Sequence, residues 1–463
     1  MKTQNIQLKQ AGSRITSTNT GLLIGLNTYP AAVLALFFGG ATLLGTSAAS
    51  AATITVINTN DTGPGSLRQA LVMARNGDTI NFDSSLNEHK IKLTSGQLNV
   101  NKDIKISGPG ANHLAVDGNA QSRVFYVNPG KTVTISGLTI RNGHVTNDFG
   151  GGIFNDGGAL TLSNCTVIGN SAYYGGGISN YNFGDASIAT LTLTNSTLSG
   201  NSAYSGGAIF NSMFGGGASV TISNSTISGN SADFGGGIKS GGGGPNGPST
   251  FVTISNSTIS GNSAGDGGGI YNSPSPRSHA EVGVNNSTIS DNSTTGNGGG
   301  IYNHGFLELA STILNTGSSG GNIFNNGGTV TSHGYNLSSD NGGGYLTGFG
   351  DQINTDPLLG PLQNNGGPTF THALLPGSPA IDAGDPNFTP PPFYDQRGPE
   401  FDRVVNDRID IGSFEVQGLT ATPTPTPTAT PTPTPTFTPT ATPRPSVTSR
   451  PRPTPRVRPT PLQ

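Results

Sequence analysis

The sequence predicts an all-β fold: a parallel β-helix (a solenoid with three strands per coil) with an N-terminal capping helix and a disordered C-terminal stalk. Three observations predict it. A unit of about thirty residues recurs through the middle of the chain. Apolar residues alternate with period two inside each unit, the mark of strands, and nothing there has a helical period. The composition is that of a chain with many corners and little surface charge, with 71 glycines in 463 residues and only 10% charged residues.

The repeat is read directly from aligned strings: LSNCTVIGNSAYYGGGISN at 162–180, LTNSTLSGNSAYSGGAIFN at 193–211, ISNSTISGNSADFGGGIKS at 222–240, ISNSTISGNSAGDGGGIYN at 254–272 and VNNSTISDNSTTGNGGGIYN at 284–303. GGGIFN at 150–155 is the tail of an earlier copy. The isoleucines after the glycines, Ile178, Ile209, Ile238, Ile270 and Ile301, recur at intervals of 31, 29, 32 and 31. Three short strands per unit, separated by Gly, Asn and Ser corners, close if each strand pairs in parallel with its equivalent one coil on, about 4.8 Å away. That winding stacks the five isoleucines into one inward column, and Val167, Leu198, Ile227, Ile259 and Ile289 into a second. Each such side chain contributes roughly 1.5–3 kcal/mol by burial.

The same alignment stacks Asn170, Asn201, Asn230, Asn262 and Asn292, and separately Asn164, Asn195, Asn224, Asn256 and Asn286. A carboxamide donates and accepts, so stacked copies can bond along the column as a ladder. Most of these asparagines also lie in N-x-S/T sequons, which a glycan-bearing surface would use instead; recurrence at fixed repeat positions favours the ladder. Cys165 stands where other copies have Ser196, Ser225, Ser257 and Ser287, and so is a small-residue replacement and not a nucleophile.

The ends differ from the middle. Residues 1–51 have the layout of a signal peptide: Lys2, Lys9 and Arg14, an uncharged apolar run from Ala31 to Leu44, then Ala49 and Ala51 in A-x-A spacing. The run is shorter than the roughly 20 residues a bilayer span needs, so export is expected, with no membrane span after signal removal and a mature chain from about Ala52. Residues 52–140 hold looser strands and one amphipathic helix, SLRQALVMAR at 66–75, with Ser66 as N-cap and Gly77 as stop. It is expected to cover the open first coil, since 141–345 is the repeat array. Residues 346–417 leave the repeat and gain charge. Residues 418–463 are Pro/Thr-rich and end in Arg444, Arg450, Arg452, Arg456 and Arg458. Such a tail cannot bury a core; as an extended stalk it would reach about 140 Å. Its arginines suit either docking on an anionic polymer or a soluble end.

GGGIFN, GGAIFN and GGGIYN resemble the GGAI/Asn repeats of polymorphic outer-membrane proteins, within the wider class of bacterial right-handed parallel β-helix repeat proteins. NTNDTGPGSLRQAL at 58–71 resembles the start of secreted members. DPLLGPLQNNGGPTFTHALLPGSPAIDAGD at 356–385, DQRG at 395–398 and DIGSFE at 410–415 resemble the choice-of-anchor Q region. The resemblance implies right-handed winding, export and a place in a bacterial envelope or outside the cell. In that family the region closes the helix ahead of a surface-attachment signal, whereas here the Pro/Thr/Arg tail follows.

Several functions are excluded or weakened. With 22 Lys+Arg against 25 Asp+Glu, a net charge of -3 gives no nucleic-acid footprint. One cysteine excludes a disulfide scaffold, a CxxC pair and a cysteine zinc site, and glycine without a three-residue period excludes collagen. Glycosidases need paired carboxylates, and calcium-dependent lyases need clustered Asp with an Arg or Lys base. Yet Asp156, Asp185, Asp233, Lys239, Asp266, Arg277, Glu281, Asp291, Glu308 and Asp340 fall at scattered repeat phases. S-H-G at 332–334 and N-T-D at 354–356 resemble polygalacturonase motifs in reversed order without an Asp pair, and AGDGGG at 264–269 is a lone calcium-type loop. His144, His304 and His333 sit beside or near glycines at coil corners. Asp382, Asp385 and Asp395 could hold an ion, but the interleaved Arg397, Arg403 and Arg408 favour salt bridging.

The expected role is therefore an exported protein that binds, adheres or serves structurally at a surface, with no evident catalytic site, cofactor or metal. It is expected to act as a monomer, with glycans or cell-envelope polymers as partners met through Ser, Thr, Asn and the aromatic inserts Tyr173, Tyr174, Phe214 and Phe234. The alternative is a polysaccharide lyase or glycoside hydrolase of the pectin-degrading β-helix type.

Overall fold

The computed structural model describes residues 50–184, 188–242 and 249–418. All but the last two residues of the expected signal peptide, and all but the first residue of the expected stalk, lie outside the described residues.

Among the described residues the chain is a parallel β-helix solenoid. Its strands form three large sheets of 11, 9 and 14 strands, and within them each strand pairs in parallel with its equivalent from the next coil. Ile153, Ile178, Ile209, Ile238, Ile270, Ile301 and Ile323 are successive register partners in the 9-stranded sheet. Val167, Leu198, Ile227, Ile259 and Ile289 stack likewise in the 14-stranded sheet. All five isoleucines from Ile178 to Ile301 are fully buried. Because the side-chain period is two, one register serves both faces: in Ala189–Thr194 the leucines Leu191 and Leu193 point inward and the threonines Thr190, Thr192 and Thr194 outward.

Sequence spacing predicts three strands per coil. The middle coils carry a further short one: Ser171–Tyr174, Ser202–Ser205, Ser231–Phe234 and Ser263–Asp266 pair in parallel and join the 14-stranded sheet through Thr288–Thr294. In Ser171–Tyr174 all four residues are half-buried. Neither face is sealed there, so no alternation marks the strand in the sequence.

The corner asparagines do two different jobs. Asn170 Nδ2 donates to Asn201 Oδ1 at 3.0 Å, and Asn201 to Asn230, Asn230 to Asn262 and Asn262 to Asn292 each at 2.9 Å. Each Oδ1 from Asn201 to Asn292 also accepts the backbone N–H of the asparagine one coil earlier. The second set was expected to form a ladder too, and it does not. Asn164, Asn195, Asn224, Asn256 and Asn286 are left-handed corners with φ of 51°, 48°, 49°, 51° and 47°. Only the Asn256–Asn224 pair shares a side-chain bond, at 2.8 Å. Asn recurs there because its short polar side chain tolerates a backbone conformation that costs other residues roughly 1–2 kcal/mol. A further buried ladder runs from Asn155 through Asn180 to Asn211 and, beyond Ser240, from Asn272 through Asn303 to Asn325.

The helix is Leu67–Met73, shorter than its sequence pattern, with the Ser66 hydroxyl accepting from Gln69 N at 3.2 Å. Leu67, Ala70 and Leu71 enter the core of the first coil. Asp61 binds it to the following turn: the carboxylate takes Arg68 at 2.7 Å and the Thr94 and Ser95 amides at 3.0 and 2.7 Å.

At the other end, Leu359–Gln363 and Thr371–Leu374 form an antiparallel pair. The segment from there to residue 418 folds back along the 14-stranded sheet. Thr226 Oγ1 donates to Phe370 O at 2.6 Å, Thr258 Oγ1 to Gln396 Oε1 at 2.6 Å, and Ser413 N donates to Thr288 Oγ1 at 3.1 Å. Leu374, Ala380, Ile411 and Phe414 build a second small core with Ile313 and Leu337. One outer face of the solenoid is thus sealed along these coils, while the 9-stranded sheet next to the glycine corners stays open. No helix among the described residues is long and apolar enough to cross a membrane.

Candidate functional site

The open face carries an aromatic groove. In each GGGI-x-N unit Ile points into the core and the next residue, x, points outward. Register therefore stacks Tyr126, Phe154, Ser179, Phe210, Lys239, Tyr271, Tyr302 and Phe324 in one outer column. Neighbours touch where both are rings: Tyr126–Phe154 centroids lie 5.4 Å apart and Tyr271–Tyr302 stack at 4.6 Å. Across the glycine corner the short extra strands supply the opposite wall. Tyr173 stacks on Tyr204 at 4.7 Å, and Phe234 meets Tyr204 and Tyr271 edge-on at 5.6 and 5.3 Å.

Glycine is required between the two walls. Gly235 has φ of +68°, and a Cβ there would run into the Ile238 carbonyl, so the chain turns sharply without a side chain to fill the corner. The groove that results has a volume of 340 Å³, with Phe149, Tyr174, Tyr181, Phe210, Phe214 and Lys239 among its lining residues. Phe149 packs in this lining with its ring 4.9 Å from Tyr174 and 4.8 Å from Tyr181. Phe214 at the rim is 66% exposed.

Lys239 is the one cation in this lining. Its Nζ lies 5.1 Å from the centre of the Phe210 ring and donates to the Gly241 carbonyl. Burial pulls its ammonium down to about 7. Burial also raises the Tyr174 and Tyr181 phenols. The groove can therefore offer flat apolar surface, the hydroxyls of Ser205 and Ser212, and one desolvated amine.

Of the aromatic inserts singled out from the sequence, Tyr174 and Phe214 line the groove and Tyr173 and Phe234 flank it. Sequence reasoning missed Phe149, Phe154, Tyr181 and Phe210, and passed over Lys239 as one of the scattered charges. The column was visible in principle at the x of GGGI-x-N, but its identity varies between Phe, Ser, Lys and Tyr.

The other candidates are dispersed. His144 Nδ1 bonds Ser171 Oγ at 2.7 Å, His333 faces Glu308 at 3.5 Å, and the Asp356 carboxylate accepts from Leu358 N at 2.9 Å. Asp185 lies outside the described residues. Among the described residues no three His, Cys, Asp or Glu side chains converge as metal ligands would. Cys165 is buried and burial raises its thiol to about 11, so it stays protonated.

The charged C-terminal segment is a structural clasp. Arg397 pairs with Asp395 at 2.6 Å between the rings of Phe401 and Phe414, and Arg403 faces Glu415 at 3.8 Å. Arg408 donates instead to the Gly384 and Ala383 carbonyls. Burial raises the Glu415 carboxyl to about 9, against the pull of Arg403, and raises Asp410 as well.

No protein-family model matches the chain. A search of curated proteins also found no match. Among solved structures the chain is similar to pectate lyase Pel9A, with 14% identity, a TM-score of 0.43, and coverage of 79% of this chain and 96% of that one.

Proposed function

We propose that the protein is an exported β-helix that binds glycans through the aromatic groove, in a role of surface attachment or adhesion. The observation behind this reading is the column Phe154–Ser179–Phe210–Lys239–Tyr271–Tyr302, flanked by Tyr173, Tyr174, Tyr204 and Phe234. Sugar rings present apolar C–H faces that pack on aromatic rings, while their hydroxyls seek hydrogen-bond partners at the edges. Rings held on a rigid sheet, in a column broken at Ser179 and Lys239, are preorganised for an extended chain of such units. Export rests on the signal-peptide pattern at 1–51, and the clasped C-terminal segment would hand the solenoid on to the Pro/Thr stalk. A glycan array probed with the folded mature protein should show binding to extended oligosaccharides. Blank arrays together with no binding to cells or envelope polymers would leave a passive envelope component.

The second reading, a polysaccharide lyase, is favoured by the placement of the Lys239 amine in the groove lining, where burial pulls it down to about 7, the range in which a general base works best. Incubation with uronate polymers, with and without calcium, should then release unsaturated ends, and release should vanish in Lys239→Met.

A further inference from the structure

We infer that the groove selects an acidic glycan, with Lys239 pairing with the anionic group of a sugar whose ring packs against the exposed rings of the lining, Phe214 and Tyr204. This inference rests on the glycan-binding reading and narrows it to a ligand class.

Lys239 is the sole Lys or Arg between residues 142 and 276. It interrupts an aromatic column at the groove, with Phe210 and Tyr271 as its register partners on either side. The three buried arginines each have a carboxyl beside them, Arg123 with Asp148, Arg397 with Asp395 and Arg403 with Glu415, whereas Lys239 is half-buried against the Phe210 ring. No ion pair among the described residues includes Lys239. An ammonium held against apolar rings with no carboxylate paired to it among the described residues is costly to desolvate, and an incoming anion offsets that cost. The surface basic cluster makes a poorer site, because Lys90 and Arg141 already share Asp117.

Uronates and sulfated sugars present the same chemistry here: a sugar ring with an anion one bond or two outside it. A titratable signature follows from the same geometry. Among the described residues, the other titratable groups lining the groove are the phenols of Tyr174, Tyr181 and Tyr204. Pairing with an anion strengthens proton binding by the amine, so at pH 8 the complex should take up a proton as it forms.

The experiment is calorimetric titration of the full mature chain with four oligosaccharide probes: a uronate, its methyl ester, a sulfated chain and a neutral chain. Titrations are run in two buffers of different ionisation enthalpy. Binding by the uronate or the sulfated probe at least about tenfold tighter than by the ester and neutral probes is expected, with proton uptake at pH 8. The two charged arms tell which anion is meant. Lys239→Met should remove that preference without lowering the urea midpoint, and Lys239→Arg should restore most of it. Equal affinity for charged and neutral probes, or unchanged preference in Lys239→Met, would overturn the inference while leaving glycan binding intact. Binding to none of the four probes would remove both.

Discussion

Asn230 accepts two hydrogen bonds from Asn201, one coil earlier, through its single Oδ1: from the backbone N–H at 2.9 Å and from the side-chain Nδ2 at 2.9 Å. Its own Nδ2 donates onward to Asn262 and to the Leu198 and Ser228 carbonyls. One carboxamide thus satisfies the corner backbone on both sides of itself in a place water does not reach.

Replacing Asn230 should therefore cost more than one hydrogen bond. Asn230→Gly leaves the Asn201 amide N–H and other buried polar groups without partners, at about 1–3 kcal/mol each. The corner position Asn195, with φ of 48°, should accept Asn195→Gly with little loss. Urea midpoints of the two variants check this contrast; equal losses would mean that the ladder and the corner are alike in kind.

The isoleucine column makes a second demand. Ile238 is fully buried between Ile209 and Ile270, and the backbone of a closed coil cannot collapse to fill a gap. Ile238→Ala should lower stability by about 2–5 kcal/mol. A comparable truncation on the outer face of the same coil, Thr253→Ala, should shift it by less than about 0.5 kcal/mol.

The clasp gives a pH dependence of stability. Arg397 and Arg403 are buried with three carboxyls, Asp395, Asp410 and Glu415, which leaves one carboxyl in excess. Glu415, raised from 4.5 to about 9, keeps its proton in the folded state. A group that holds its proton more tightly when folded adds stability that is complete below its unfolded value and is lost as pH rises toward the folded one. Stability should thus fall between about pH 5 and 9 by up to roughly 1.4 kcal/mol per unit, and Glu415→Gln should flatten the slope. Asp61 acts oppositely. Although burial opposes it, hydrogen bonds from Ser95, Arg68 and Thr94 hold this carboxylate below its usual range. Its contribution is lost only in acid, below about pH 4. Denaturant titrations at stepped pH separate the two.

The solenoid and its isoleucine columns were legible because a repeat writes the same side chain at the same phase in every coil. The Asn170 column was legible for the same reason. The corner role of Asn164 and its equivalents was not, since an asparagine looks alike whether it bonds a neighbour or relieves a left-handed backbone. The groove was only half visible. Tyr173, Tyr174, Phe214 and Phe234 stood out as inserts, but Phe210 and Lys239 occupy a position whose residue changes from coil to coil. The clasp was out of reach of any local pattern: Gln396 meets Thr226 across 170 residues of chain.

The most direct measurement compares the affinity of the best-binding oligosaccharide for the native protein and for Phe214→Ala, whose ring lines the groove and is exposed, with Thr192→Ala on the sheet away from the groove as control. Loss of the Phe214 face should weaken binding about tenfold, the worth of one well-packed aromatic contact, while the control binds as before. Equal affinity in all three proteins would place the ligand elsewhere and contradict a glycan site in the groove.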